Sequence, residues 1–170
     1  MKTIVKGLVL VGVAAVLTGC GESSTRNMLK DQRTEVFEVR MLGQDRGDLS
    51  SALLSVASVT ASTRGQPLEV EPVVDTMDLT QMRQAWLLAR VRVPEGAPDV
   101  DFSVLFDDAG GYESAGGNGW VESRGMAIAW RAPVGWLQRN GHVVIHMDLG
   151  RSLVPHEGAM RLIPNAVINY

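Results

Sequence analysis

Hydrophobic and polar residues alternate along much of this chain, and the period is two. Phe37, Val39 and Met41 fall on one side of an extended segment, while Glu38 and Arg40 fall on the other. Leu54, Val56 and Ser58 alternate with Ser55, Ala57 and Val59 in a run whose small and β-branched side chains suit a pleated face. Leu68 and Val70 lie between Pro67 and Pro72, which predicts a short strand at a sheet edge, because proline has no N–H to give a ladder. Val91 and Val93 alternate with Arg90 and Arg92. Val100, Phe102, Val104 and Phe106 form the clearest half-buried strand, ending in an acidic, glycine-rich stretch at Asp107 to Gly111. Met126, Ile128 and Trp130 share a face, as do Val143, Ile145 and Met147. The Asn140-Gly141 dipeptide before the latter is a hairpin signal. The last strands fall around Leu162 and Val167.

One stretch departs from this period. Leu79, Met82, Trp86 and Ala89 recur at helical spacing, with Asp78 as N-cap and Gln81 at N3, so a short helix is predicted over 78–88. About eight short strands, one helix and no strand–helix–strand rhythm describe a sandwich or a barrel. The body of the domain is expected over 34–170, preceded by a polar, aperiodic tether over 20–33.

The first residues belong to a different class. Lys2 and Lys6 precede an apolar run over 7–17. That is the n-region and h-region of an export signal, and it is far shorter than the about 20 residues a membrane-spanning helix needs. Leu17-Thr18-Gly19-Cys20 then resembles the bacterial lipobox. The resemblance implies cleavage after Gly19, a diacylglyceryl thioether on Cys20 and further acylation of the new amine. The signal peptide would then be 1–19. Two or more acyl chains hold a protein stably, at about 0.8 kcal/mol per buried CH₂. Gly21 stands where enterobacterial lipoproteins kept at the inner membrane carry Asp, which points by analogy to the outer membrane.

Composition narrows the remaining classes. Cys20 is the sole cysteine, which excludes a disulfide framework and a cysteine zinc site. The net charge of −3 provides no footprint for nucleic acid. Loss of Lys2 and Lys6 with the signal makes the mature chain more acidic still. Electrostatic attraction to anionic lipid is therefore not expected, and the lipid on Cys20 must do the anchoring.

Three stretches, taken in order, resemble a family of bacterial lipoprotein domains of unknown function. They are Val93-Pro-Glu-Gly96 leading into the strand at Val100, Met147-Asp-Leu-Gly-Arg-Ser-Leu-Val154, and Leu162-Ile-Pro-Asn-Ala-Val167. The likeness runs over 37–170. It departs at Gly43-Gln-Asp45-Arg46, where the family carries Asp-Ala-Pro. It implies an immunoglobulin-like, antiparallel all-β sandwich and assigns no catalytic residue.

Several constellations carry the residue types of a chemical site. His142, His146 and Asp148 share one strand face, but positions four apart lie about 13 Å apart along a strand, so they do not converge on one metal. Asp148, Ser152 and His156 supply the residue types of a hydrolase triad without the Gly-x-Ser-x-Gly turn. Asp107, Asp108 and Glu113 offer oxygens for calcium but lack the EF-hand spacing. Gly110 to Gly119 is glycine-rich without a phosphate-loop lysine, and reads as a mobile loop between strands. Tyr112 and Trp120 within it, and Trp136 beyond it, are the candidate contact residues for a partner or a sugar. No cofactor or metal is implied. The expectation is an envelope lipoprotein acting as a non-catalytic binding or assembly module, in an adhesion, motility or secretion complex. Its partners would be envelope proteins. Carbohydrate binding through Trp120 and Trp136, or a hydrolase built on Ser152, stands as the alternative.

Overall fold

The computed structural model describes residues 33–170. The signal segment, Cys20 and nearly all of the tether lie outside the described residues. Strands run β1 (Thr34–Gln44), β2 (Leu49–Thr63), β3 (Gln66–Pro67), β4 (Glu69–Pro72), β5 (Thr76–Asp78), β6 (Trp86–Pro94), β7 (Asp99–Ser114), β8 (Gly117–Glu122) and β9 (Ala127–Pro133). Helix α1 (Val134–Asn140) leads into β10 (His142–Asp148), and the single turn α2 (Leu149–Ser152) leads into β11 (Leu153–His156), β12 (Ala159–Leu162) and β13 (Ala166–Asn169).

These strands form two sheets. One has the order β13-β10-β1-β6-β4; the other has the order β11-β12-β8-β7-β2-β3, with β5 added on β2 and β9 on β7. The protein is therefore all-β, and the two sheets pack on one hydrophobic cluster. Phe37, Val39 and Met41 of β1, Val91 and Val93 of β6, and Val143, Ile145 and Met147 of β10 are buried from one sheet. Val100, Phe102, Val104 and Phe106 of β7 and Leu54 of β2 are buried from the other. Period-two alternation aims these residues inward because successive side chains on a strand point to opposite faces.

The pairing is mixed, which corrects the purely antiparallel expectation. β1 runs parallel to β10, with Val39 opposite Val143 and Met41 opposite Ile145. β8 and β12 are also parallel. The strands are more numerous than expected, and two are long, with 15 residues in β2 and 16 in β7. β7 reaches this length by serving two partners on one side. Its first half pairs with β9 and its second half with β8. β2 follows its other side through three register shifts. Such bulges bend a strand and increase its twist.

The helix expected over 78–88 is absent: the segment is the end of β5, a turn, and the start of β6. Asp78 explains the difference. Its Oδ1 accepts from the N–H of Ala52 (3.1 Å), the N–H of Thr80 (3.0 Å) and the hydroxyl of Thr80 (2.7 Å). Its Oδ2 accepts from the hydroxyl of Ser51 (3.2 Å). The capping residue thus ties a turn to a neighbouring strand instead of opening a helix. Trp86 completes the tie, its indole N–H donating to the Asp78 carbonyl at 3.2 Å.

The hairpin expected at Asn140-Gly141 is likewise a different structure. Gly141 has φ 72° and ends α1, its N–H donating to the Leu137 carbonyl. This is the left-handed helix stop that glycine adopts without strain. β10 then pairs with β1 and β13, not with the chain before the turn. At the edge opposite β13 lies β4, where Pro72 sits as expected for a strand with one unpaired side.

Gly43 shows how tightly β1 meets the Asp78 turn. A Cβ at this position would lie 1.9 Å from the carbonyl oxygen of Leu79. No side chain other than hydrogen permits that approach.

Candidate functional site

The glycine-rich stretch 110–119 is not a loop but the arms of a hairpin. Gly110 pairs with Val121, Gly111 with Trp120, Tyr112 with Gly119, Glu113 with Asn118, and Ser114 with Gly117. Glycine continues the strand at position 110 because the backbone comes close to β2 there. A Cβ at Gly110 would stand 2.7 Å from the Leu53 carbonyl oxygen. The tip is closed by Ser114, whose hydroxyl donates to the Gly117 carbonyl and accepts from the Gly116 N–H, both at 3.2 Å. Gly117 has φ 138°, a conformation that favours glycine.

The pleat sorts the hairpin's side chains. Val121 and Ala52 are buried, and half-buried Tyr112 packs against the core cluster on the same side. Its ring lies against the backbone of Gly119. Two rows cross three strands on the outer side. Leu53, Gly111 and Trp120 form one; Ser51, Glu113 and Asn118 form the next. Trp120 is 75% exposed and Leu53 42% exposed. Gly111 has no side chain to fill the space between them. The result is an open trough of about 340 Å³, with Trp120 and Leu53 in one row of its lining and Ser51, Glu113 and Asn118 in the other.

The four indoles have distinct surroundings. Trp130 stacks on Phe102 with centroids 5.0 Å apart. Trp86 is held by its hydrogen bond to Asp78. Trp136, on α1, meets the edge of Tyr170 at 5.1 Å, and the Arg139 guanidinium lies 6.0 Å from its ring centre. It is 47% exposed, but part of its surface is already committed. Trp120 has no ring, cation or hydrogen-bond partner among the described residues. Tryptophan is one of the residue types enriched at the energetic centres of interfaces.

The other constellations are engaged in holding the fold. Asp108 Oδ1 accepts from the N–H groups of Ser123 (3.0 Å) and Arg124 (2.5 Å), and its Oδ2 pairs with the Arg124 guanidinium at 2.9 Å. Asp107 accepts from the Asp108 N–H at 2.8 Å, and its carbonyl accepts from the Ser123 hydroxyl. Glu113 lies in the outer row of the hairpin instead. Among the described residues no group of three His, Asp or Glu side chains is gathered as a metal site.

His146 Nδ1 contacts the Gln44 amide nitrogen at 2.7 Å. Asp148 caps α2, accepting from the Arg151 N–H at 3.0 Å and pairing with its guanidinium at 3.4 Å. Ser152 is fully buried. Its hydroxyl accepts from the Asn165 N–H at 2.9 Å and donates to the Asn165 carbonyl at 3.3 Å. His156 lies in β11, paired with Ala159 of β12. No hydrogen bond joins Asp148, Ser152 and His156 among the described residues.

Sequence reasoning missed Leu53, Ser51 and Asn118, and read Asp78 only as a helix cap. Leu53 becomes a site residue only because β2 turns it outward beside Gly111. Asp78 holds neighbouring Ser51 in place, and the Asp-x-Thr spacing of Asp78 and Thr80 was the available signal for such a turn. Burial alone pushes the Asp78 carboxyl up. The Thr80 hydroxyl, the N–H groups of Ala52 and Thr80, and the Ser51 hydroxyl outweigh it and hold the group below its ordinary value. Comparison of the chain with protein-family models, with curated proteins and with solved structures finds no match.

Proposed function

We propose that this protein is a lipid-anchored lipoprotein of the bacterial outer membrane whose β body is a non-catalytic binding or assembly module. The anchor reading rests on Leu17-Thr18-Gly19-Cys20 following a short export signal. The binding reading rests on one observation: an indole 75% exposed on a paired strand, beside an open trough. A rigid strand presents that ring with little further loss of conformational freedom on binding. Envelope components of an adhesion, motility or secretion assembly are the partners this reading expects. An immunoglobulin-like sandwich is the proposed lineage of the body. Two packed sheets with alternating inward residues support it. The parallel pairs β1/β10 and β8/β12 depart from the simple antiparallel pattern.

Metabolic labelling with an alkyne-tagged palmitate tests the anchor. The wild-type chain should take up label and partition into detergent, whereas Cys20→Ser should remain unlabelled and keep its signal segment. Unchanged mass and partitioning in Cys20→Ser would overturn the reading. A photo-crosslinking residue at position 118 tests the surface in intact cells. It should give a discrete envelope adduct that Trp120→Ala removes.

A further inference from the structure

We infer that the trough between Trp120 and Leu53 binds one or two hexopyranose rings of a β-1,4-linked, all-equatorial glycan. The inference rests on the reading of this hairpin face as the binding surface and specifies its ligand.

An equatorially substituted pyranose presents a flat C–H face and a rim of hydroxyls. The trough offers the complement: an open indole, a leucine, and between them a glycine whose backbone is the floor. A Cβ at Gly111 would stand 3.3 Å from the Gly119 carbonyl oxygen and rise into the space a ring would occupy. The polar row lies one pleat repeat away, at about 6–7 Å along the strands, so its side chains reach in toward the rim hydroxyls of a ring seated on the apolar row. At about 340 Å³ the space is at the small end of ligand sites, and it suits one or two sugar rings.

The Glu113 carboxylate accepts hydrogen bonds from hydroxyls, and a charged acceptor makes them strong. The Asn118 amide both donates and accepts. The Ser51 hydroxyl spends its proton on Asp78, so it faces a ligand as an acceptor. A row that mixes acceptors with one amide donor matches a polyhydroxyl ligand, whose every O–H both gives and takes. A protein partner would ask for something else. The cores of protein interfaces are depleted of charge and rest on broader apolar patches. Here the two apolar side chains are flanked by Glu113 and by the ion pair of Glu122 with Arg161 (3.2 Å).

Trp136 provides the internal control. It is also an exposed indole, but Tyr170 and Arg139 already occupy its surroundings. The test is isothermal calorimetry and tryptophan fluorescence on the full chain in detergent micelles, with cellohexaose and chitohexaose as probes and maltohexaose as the α-linked contrast. Binding of a β-1,4 probe, with a blue shift in emission and weaker binding of maltohexaose, is expected. Trp120→Ala should lower affinity about tenfold or more, Trp120→Phe less, and Trp136→Ala should leave it unchanged. Trp120 is largely exposed, so its removal does not threaten folding. The inference is overturned if neither β-1,4 probe binds, or if binding survives Trp120→Ala. It is equally overturned if the probes fail while the crosslinker at position 118 captures an envelope protein. That last result would leave the surface reading standing and the sugar reading refuted.

Discussion

Removing the Asp78 carboxylate tests how the turn before β6 is held. In Asp78→Ala, four donors lose an acceptor at once: the N–H groups of Ala52 and Thr80 and the hydroxyls of Thr80 and Ser51. The consequences are unequal. The Thr80 hydroxyl keeps the Ser50 carbonyl as a second partner at 3.2 Å, and half-buried Ser51 can turn to water. The N–H of Ala52 has no such escape, because Ala52 is fully buried, and Thr80 is nearly so. A buried donor left without a partner costs about 1–3 kcal/mol, so two of them place the loss at about 3 kcal/mol. At this chain length that lowers the melting temperature by about 9 °C. Asp78→Asn keeps one accepting oxygen for the two N–H groups and should lose about 1 kcal/mol. Urea titration read by tryptophan fluorescence, with thermal melts by circular dichroism, measures both variants. The pH dependence is a second check. Asp78 titrates below its ordinary value of 3.8 in the folded chain, so its contribution is complete above that value. It drains away as pH falls through the lower, folded-state value. The deficit of Asp78→Ala should therefore be constant near neutrality and shrink in acid. A deficit under about 0.5 kcal/mol, or one that grows on acidification, would refute the account.

Other perturbations follow from the same geometry. Gly43→Ala forces a methyl to 1.9 Å from the Leu79 carbonyl and should cost about 3 kcal/mol or more. A melting temperature equal to that of wild type would mean that β1 and the turn can separate freely. Ser152→Ala strips the buried partner from the Asn165 backbone and should cost about 1–2 kcal/mol, seen as a lower urea midpoint at an unchanged slope. An unchanged midpoint would show that this pairing holds nothing in place.

Much of the strand framework could be read directly from the chain. The inward faces of β1, β6, β7 and β10 follow from alternation alone, because a strand's pleat is a local property that needs no knowledge of its neighbours. Pro72 likewise marks an edge through a donor it lacks. The misreadings share a cause. The segment 78–88 carries helical spacing and a capping residue, yet the donors that Asp78 satisfies on β2 come from about 27 residues earlier in the chain. Asn140-Gly141 fits both a hairpin turn and a helix stop. Val134 and Leu137, buried three residues apart, and Arg139 in the last turn were the signs of the second.

The candidate site was legible only in part. Trp120, Tyr112 and Trp136 announce themselves as aromatic side chains, but their residue types are silent on exposure. Tyr112 and Trp120 sit in one hairpin with their side chains on opposite faces, and pairing register decides which faces solvent. Trp136 differs from Trp120 through Tyr170, a contact across 34 positions of sequence. Alternation, punctuation by proline and glycine, and the Leu17-Thr18-Gly19-Cys20 pattern are properties of neighbouring residues, so the chain alone determines them. Strand partners, the parallel pairing of β1 with β10, and the glycine-floored trough arise only when distant segments meet. They depend on which backbone lies opposite, and only the folded molecule decides that.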